Sequence, residues 1–453
     1  VKISSLYFSV FSFCFMSACS TFEDVHFDER ANTQLKNIAQ TSIDVSDNNT
    51  AMSLSQLLII EEANALITTA LANNPSLQQT LITLKTAEQQ LSVSSSNQWP
   101  SISAGLSAKK NEATASSSSA AVYSTSVDIA WTLDIWQQLA NASDAQQANT
   151  LATAYAYQGA KDLLAANVMK AYLGLVQFTQ LIDIEKKRVA TLSTNEQIIV
   201  DRYRKGLSEL SELDSAKSST QSSQATLVDF QAKYQQALRN LTLLTGVSDQ
   251  QLNYRTNYPV VVMPLDKMQK QNLARRPDLQ QAYQNIIASQ YQHKVAYKAL
   301  LPNLSITGSL GNSNGNLHNA LFGSNAWQLL GQLSAPIFNA GKLTSEVEIA
   351  KLAAEKSYWN FQEKLLNAVN EVDNAIAQEA AIAQRLQYIE SALASAQRSE
   401  ATYTLRYRQG TASLIELLQV QQQTFSLQSQ VTQLTYERLN NRITLGLALG
   451  LGI

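Results

Sequence analysis

Apolar positions recur in steps of three and four from Leu343 through Val347, Ala350, Ala354, Ser357, Phe361, Leu365, Ala368, Val372, Ala375, Glu379, Ile382, Leu386, Ile389, Leu393, Ala396, Glu400, Tyr403 and Tyr407. All but three of these residues are apolar or aromatic, and one step, Phe361 to Leu365, departs from the strict alternation. Between Gly341 and Gly410 there is neither Gly nor Pro, so no strong helix breaker interrupts the run. The spacing predicts one helix over 342–409, about 100 Å long, with a coiled-coil seam that slips once. A second long helix is expected over 137–205, weakened by Gly159 and Gly174. Each long helix ends at a glycine turn and is followed by a helix of about 38 residues, returning to Gly246 or Gly450.

Elsewhere the period changes to two. Ile102, Ala104 and Leu106 alternate with serines and Gly105, and Val127, Ile129, Trp131 and Leu133 alternate with Ser126, Asp128, Ala130 and Thr132. Later, Leu304, Ile306 and Leu310 alternate with Ser305, Thr307 and Ser309, and Trp327, Leu329 and Leu333 alternate with Gln328, Leu330, Gln332 and Ser334. This predicts four short strands, each with one apolar and one polar face. Polar segments, Asn111 to Ala121 and Gly311 to Asn325, are expected as the hairpin loops. Gly311-Asn312-Ser313-Asn314-Gly315 lacks the Lys-Ser/Thr and the helix start of a phosphate cradle.

These elements occur twice. Asn74-Pro75-Ser76-Leu77 precedes Trp99-Pro100-Ser101-Ile102 by 25 residues, proline to proline, and Arg276-Pro277-Asp278-Leu279 precedes Leu301-Pro302-Asn303-Leu304 by the same 25. The copies are offset by 202, and after a two-residue shift Arg202-Tyr203-Arg204-Lys205-Gly206 matches Arg406-Tyr407-Arg408-Gln409-Gly410. The chain reads as a tandem duplication. Repeat one covers 51–250, with a hairpin at 99–134 and helices at 137–246. Repeat two covers 265–453, with a hairpin at 301–336 and helices at 341–450, and 251–264 is the linker. Shorter helices, over 53–72, 76–97 and 266–299, open the copies.

Composition narrows the function. Among 453 residues, 34 basic side chains balance 36 acidic ones, which argues against a nucleic-acid partner. The only cysteines are Cys14 and Cys19, so the body holds no disulfide framework or cysteine metal site. His26, His293 and His318 have no metal-ligand spacing. No nucleophile or acid/base motif is present, and an enzyme is not expected. No cofactor or metal is implied. Residues 1–18 read as a signal peptide. Met16-Ser17-Ala18-Cys19 resembles a bacterial lipobox in which Cys19 receives the lipid, with 19–50 as a lipid-anchored tail, and Ser20 fits onward transport to the outer membrane.

Strands with one apolar face and no other sheet to cover it suit a membrane barrel. Four strands cannot close one, since about eight are the minimum. Several chains must then share a barrel, and two, three or four copies all satisfy that arithmetic. The opposing reading is a lipid-anchored coiled-coil structural lipoprotein with a small soluble sheet.

The duplicated Pro-bracketed helix, the Trp-Pro-Ser and Leu-Pro-Asn-Leu strand entries, Ala335-Pro336-Ile337-Phe338-Asn339-Ala340-Gly341 and the Arg-Tyr-x-x-Gly turns together resemble the TolC-type outer-membrane efflux proteins, lipoprotein branch. The resemblance spans 19–453. It implies a mainly α protomer with membrane β, assembled as a homotrimer with a twelve-stranded β-barrel and a periplasmic α-barrel. It also implies docking to a periplasmic membrane-fusion adaptor and an inner-membrane RND-type transporter, with outer-membrane lipid around the barrel. A protein-secretion duct of the same fold is the other function open to that resemblance. Within this frame Arg202, Gly206, Arg406 and Gly410 form the periplasmic tip that meets the adaptor. Leu210, Glu212, Leu414, Ile415 and Glu416 form the gate, although Gln419 stands where relatives often carry an acid. The near absence of a tail beyond Gly450 departs from the family pattern.

Overall fold

The computed structural model describes residues 25–41, 53–54, 61–111, 120–246, 257–259 and 273–453. The signal-peptide and Cys19 readings, and most of the 251–264 linker, lie outside them.

The order is α1 (Phe27–Thr41), α2 (Glu61–Asn73), α3 (Pro75–Ser96), β1 (Ser101–Asn111), β2 (Ala120–Leu133), α4 (Gln138–Arg204) and α5 (Leu210–Thr245). Then follow α6 (Pro277–Lys298), β3 (Asn303–Asn314), α7 (Leu317–Phe322), β4 (Ala326–Ser334), α8 (Lys342–Arg408) and α9 (Leu414–Ala448). The succession helix, strand, strand, long helix, return helix thus appears in each half. Several features depart from expectation, among them α7, a short helix inside the Gly311–Asn325 stretch expected as a hairpin loop. Gly311 to Asn314, expected as loop, continues β3 because Gly311, Asn312, Ser313 and Asn314 pair with Ser126, Thr125, Ser124 and Tyr123. The ladder supplies the backbone partners that a turn would otherwise provide. A helix, α1, also stands within the stretch read as a tail.

The described residues gather into two units, one of residues up to 33 with 85–152 and 282–361, the other of 34–84, 153–281 and 362–453. In the first, β1, β2, β3 and β4 form one antiparallel sheet in that order. Its central pairing, β2 with β3, joins the two copies. In the second, the core gathers Leu66, Ile67 and Ala70 of α2, Val168, Met169 and Tyr172 of α4, and Leu439 and Ile443 of α9.

Along α8 the seam is where the sequence puts it. Every buried residue of that helix (Ala354, Phe361, Leu365, Ala368, Ala375, Glu379, Ile382, Leu386 and Ala396) lies on it. Helix α4 runs unbroken through both of its glycines. A Cβ on Gly159 would stand 3.5 Å from Pro277, and one on Gly174 would stand 3.7 Å from Tyr436. Neighbouring chain therefore comes close to α4 at both positions.

Each copy ties its return helix to its opening proline. In copy one Asn74 Nδ2 donates to Leu244 O at 3.0 Å, while Asn74 Oδ1 accepts Leu77 N and caps α3. In copy two Arg276 Nη1 donates to Ala448 O at 3.0 Å. Gln78 to Ala72 O at 3.0 Å and Gln280 to Ala274 O at 2.7 Å repeat a second bond. Helix-end carbonyls lack intrahelical partners, and these side chains supply them. Gly246 and Gly450, at φ +69° and +72°, close the helices in the left-handed region that glycine enters without a Cβ penalty.

Arg276 is buried and also pairs with Asp278 at 2.9 Å and Glu371 at 2.8 Å. Burial pushes the Asp278 carboxyl up, but Arg276 and the Leu279 N–H outweigh it, so its pKa lies below the usual range. A depressed carboxylate pKa contributes stability that is complete above the unfolded value and is lost as pH falls through the folded one. Arg276→Met is expected to cost about 1.5–3 kcal/mol, below the figure for a fully buried pair because both carboxylates are partly exposed. In urea titrations the wild type should begin to lose that advantage as pH falls below the ordinary carboxylate value of about 4, and should lose it fully only as pH passes through the lower folded pKa of Asp278. An unchanged midpoint at pH 7 would refute the anchoring role.

Candidate functional site

In the sheet, directly opposed residues share a face. Ile102 stands opposite Ile129, and Ala104 opposite Val127. Val127 stands opposite Leu310, Trp131 opposite Ile306 and Leu133 opposite Leu304. Leu304 then faces Leu333, and Leu310 faces Trp327. All four apolar sets therefore merge into one band. The opposite face carries Ser103, Asp128, Ser309 and Gln328 in register. Among the described residues the apolar rungs of the band are left open: Ile102 is 71% exposed and Trp327 78%. Burying one such side chain is worth about 1.5–3 kcal/mol, so a face this large demands an apolar surrounding. Large aromatics flank the strands: Trp99 before β1, Trp136 after β2 and Phe338 after β4, all exposed. Trp136 donates its Nε1–H to Pro302 O at 2.7 Å, leaving its ring outward.

Among the described residues no helix is long and apolar enough to cross a membrane. The sheet carries the apolar surface instead.

The two helix turns are near copies. Gly206 and Gly410 have φ +71° and +74°. Leu207 N bonds Arg202 O at 2.8 Å, and Thr411 N bonds Arg406 O at 2.9 Å. Gly206 N and Gly410 N bond the carbonyls of Tyr203 and Tyr407, completing a Schellman closure in each turn. The arginines reach over their own turns: Arg202 Nη2 donates to Leu207 O at 3.3 Å and Arg406 Nη2 to Thr411 O at 3.4 Å. Arg406 also lies 5.2 Å from the Tyr403 ring centroid. Cations at these helix ends offset the C-terminal dipole, and their exposed faces remain available to a partner.

Beneath the turns Ile199, Leu213, Ala216, Leu414 and Leu417 form a small core. The predicted gate residues divide around it. Leu414 is buried there, whereas its copy-one counterpart Leu210 is 54% exposed and Ile415 is also exposed. Glu416 completes a capping box with Ser413, whose N donates to Glu416 Oε2 at 2.7 Å while Glu416 N donates to Ser413 Oγ at 3.2 Å. These bonds hold the Glu416 carboxyl below the usual range. The Ser413-x-x-Glu416 spacing is the sequence signal for such a box, and it accounts for this carboxylate. Glu212 accepts from Ser208 Oγ instead. A cleft between the turns is lined by Arg202, Ser208, Glu212, Tyr407, Ser413 and Ile415.

One of the polar positions in the α8 seam holds a buried ion cluster. Glu379, on the α8 seam, is buried and accepts from Arg438 Nε at 2.9 Å and Arg442 Nε at 2.7 Å. A polar residue in an otherwise apolar seam is the signal that could have found it. Among the described residues no cluster of His, Cys, Asp and Glu is suited to a metal ion.

The family model described as "Outer membrane efflux protein" matches residues 66–247 and 269–451, one stretch in each half. The cation efflux system protein CusC of Escherichia coli K12 is 24% identical over 417 residues, 90% of this chain and 91% of that protein. The probable outer membrane lipoprotein SilC of Salmonella typhimurium is 26% identical over 408 residues, 86% of each chain. Among solved structures, CusC superposes with TM-score 0.81 at 23% identity, covering 90% of this chain and 96% of that one. The Campylobacter jejuni CmeC outer membrane channel gives 0.81 at 21% identity, covering 92% of each.

Proposed function

The chain belongs to the outer membrane efflux protein family, and from that premise we propose that three copies pool their strands into a twelve-stranded barrel and their helices into a periplasmic tunnel. The observation that carries this reading is the uncovered apolar band on a sheet of only four strands. Such a face is stable in lipid when the sheet is closed, and closure needs further copies. The exposed aromatics at the strand entries suit a membrane-boundary girdle.

The trimer is a passive duct. A periplasmic membrane-fusion adaptor docks on the turns at Arg202–Gly206 and Arg406–Gly410, and an RND-type inner-membrane transporter supplies the energy. Substrates are small molecules, and an enzyme activity is no part of the mechanism. The purified chain should form ion-conducting pores in planar bilayers, which a structural lipoprotein would not do.

The exposed side chains of Leu210 and Ile415 are the better candidates for the axial constriction. Leu414 holds the tip core together, and Glu212 and Glu416 order the helix starts. Ile415→Ala with Glu416→Gln is expected to raise resting conductance and admit large antibiotics into cells, while Gly410→Val should cut export with the trimer intact. Wild-type conductance and antibiotic entry in the assembled double variant would move the gate elsewhere.

Cys19 is the proposed lipid acceptor. Each buried CH₂ of the lipid adds about 0.8 kcal/mol, and a trimeric barrel holds the membrane without it. Cys19→Ala should therefore lose incorporation of labelled fatty acid and keep part of the pore activity. Persistent labelling would reject the assignment.

A further inference from the structure

The outward face of the sheet does not stop at Val127 and Leu310. One rung further along, Thr125 stands opposite Asn312, on the same face because each lies two residues from an apolar neighbour. Over this rung sits α7, packed on β2 and β3. Ala320 is its fully buried contact.

The sheet's polar side chains close the end of this helix. Thr125 Oγ1 donates to Ala320 O at 2.7 Å, and Asn312 Nδ2 donates to Asn319 O. Gly323 N also donates to Asn319 O, at 2.9 Å. At the other end Asn316 Oδ1 accepts His318 N at 2.9 Å. Carbonyls that a short helix would otherwise offer to water are thereby satisfied within the protein, as an apolar surrounding requires.

The large outward aliphatic and aromatic side chains are apolar, beside exposed His318 and Asn319. Leu317 and Leu321 are exposed and Phe322 is 77% exposed, with the His318 ring 5.2 Å from that of Phe322. From Gly311 to Ala326 the chain carries no Lys, Arg, Asp or Glu. By contrast, β1 approaches its loop through Lys109 and Lys110, which suits water.

We propose that α7 is an interfacial anchor that seats Leu321 and Phe322 among lipid acyl chains at the rim of the barrel wall. Lipid is the occupant because the patch is uncharged and continuous with the apolar band, on the same face of the same strands. Interfacial helices bury their apolar side about 5–10 Å into the headgroup and acyl boundary, a depth open to a helix lying flat against the wall. The anchor would fix the height of the β3–β4 hairpin in the outer membrane. It rests on the barrel reading above, and its test separates the two.

The full chain is prepared with Phe322→p-benzoylphenylalanine or Ile129→p-benzoylphenylalanine and reconstituted in phosphatidylcholine vesicles with tritiated acyl chains. After irradiation, tritium on the protein is counted. Phe322 is exposed, so the analogue disturbs no core, and Leu321 serves as a second position. Comparable incorporation at 322 and 129 is the expected result. Label at 129 with loss to background at both 321 and 322 would overturn the anchor and leave the barrel standing. Background at all three positions would overturn the barrel reading and the anchor with it.

Discussion

Ile129→Lys is expected to stop the chain from assembling in the outer membrane. Ile129 stands mid-strand on β2, between Ile102 on β1 and Gly308 on β3, in the middle of the apolar band. A lysine on the lipid face near the bilayer midplane costs about 2–4 kcal/mol per chain, and a trimer would bear that cost three times. Ser309→Lys, on the opposite face, should be tolerated, because in the proposed barrel that side would face a wet lumen where the ammonium keeps its hydration. Fractionation of envelopes and heat-sensitive migration of the trimer measure both variants. Equal assembly of the two would remove the distinction between lipid and lumen faces on which the barrel rests.

Glu379→Ala is expected to destabilise the helical unit most among single side-chain truncations. Glu379 is 2% exposed, and Arg442, one of the two guanidiniums that converge on it, is 3% exposed. Asn441 Nδ2 donates to Ala375 O at 2.8 Å beside them, fixing α9 against α8. Breaking a buried pair by deleting one partner costs about 3–5 kcal/mol, since a desolvated charge is left without its counter-ion. Glu379→Leu combined with Arg442→Met should recover most of the loss, because an apolar pair of similar volume needs no counter-charge. Denaturant midpoints at neutral pH compare the three proteins. If Glu379→Ala unfolds within about 1 kcal/mol of wild type, the cluster is a solvated surface pair and not a buried one.

Much of the protomer was legible because its elements are long and their periods pure. The α8 seam needed only the apolar spacing, since a helix buries one stripe of its surface and the three- and four-residue steps mark that stripe. The strand faces needed only alternation, since a period of two assigns every side chain to one side. The turns at Gly206 and Gly410 were readable because a reversal through the left-handed region selects glycine. Within the candidate tip, however, Leu210 and Leu414 occupy equivalent positions in the duplication and have opposite fates, one exposed and one in the core. Equivalent sequence positions do not dictate equivalent burial when the helices around them differ.

The sequence by itself therefore determined the long helices, the four strands and the apolar side of each, all of which follow from local periodicity and backbone preference. Tertiary structure alone decided what depends on residues far apart in the chain. Glycines that looked like weak points in α4 are places of close approach, to Pro277 and Tyr436. Arg276 and Asn74 proved to be clamps on the ends of return helices, about 170 residues away in sequence. Gly311 to Asn314 left its turn-like composition for a ladder with β2, and the helix beyond it found its hydrogen bonds on that same ladder. In each case the deciding energy is a contact or hydrogen bond between distant segments, which no window of the sequence contains.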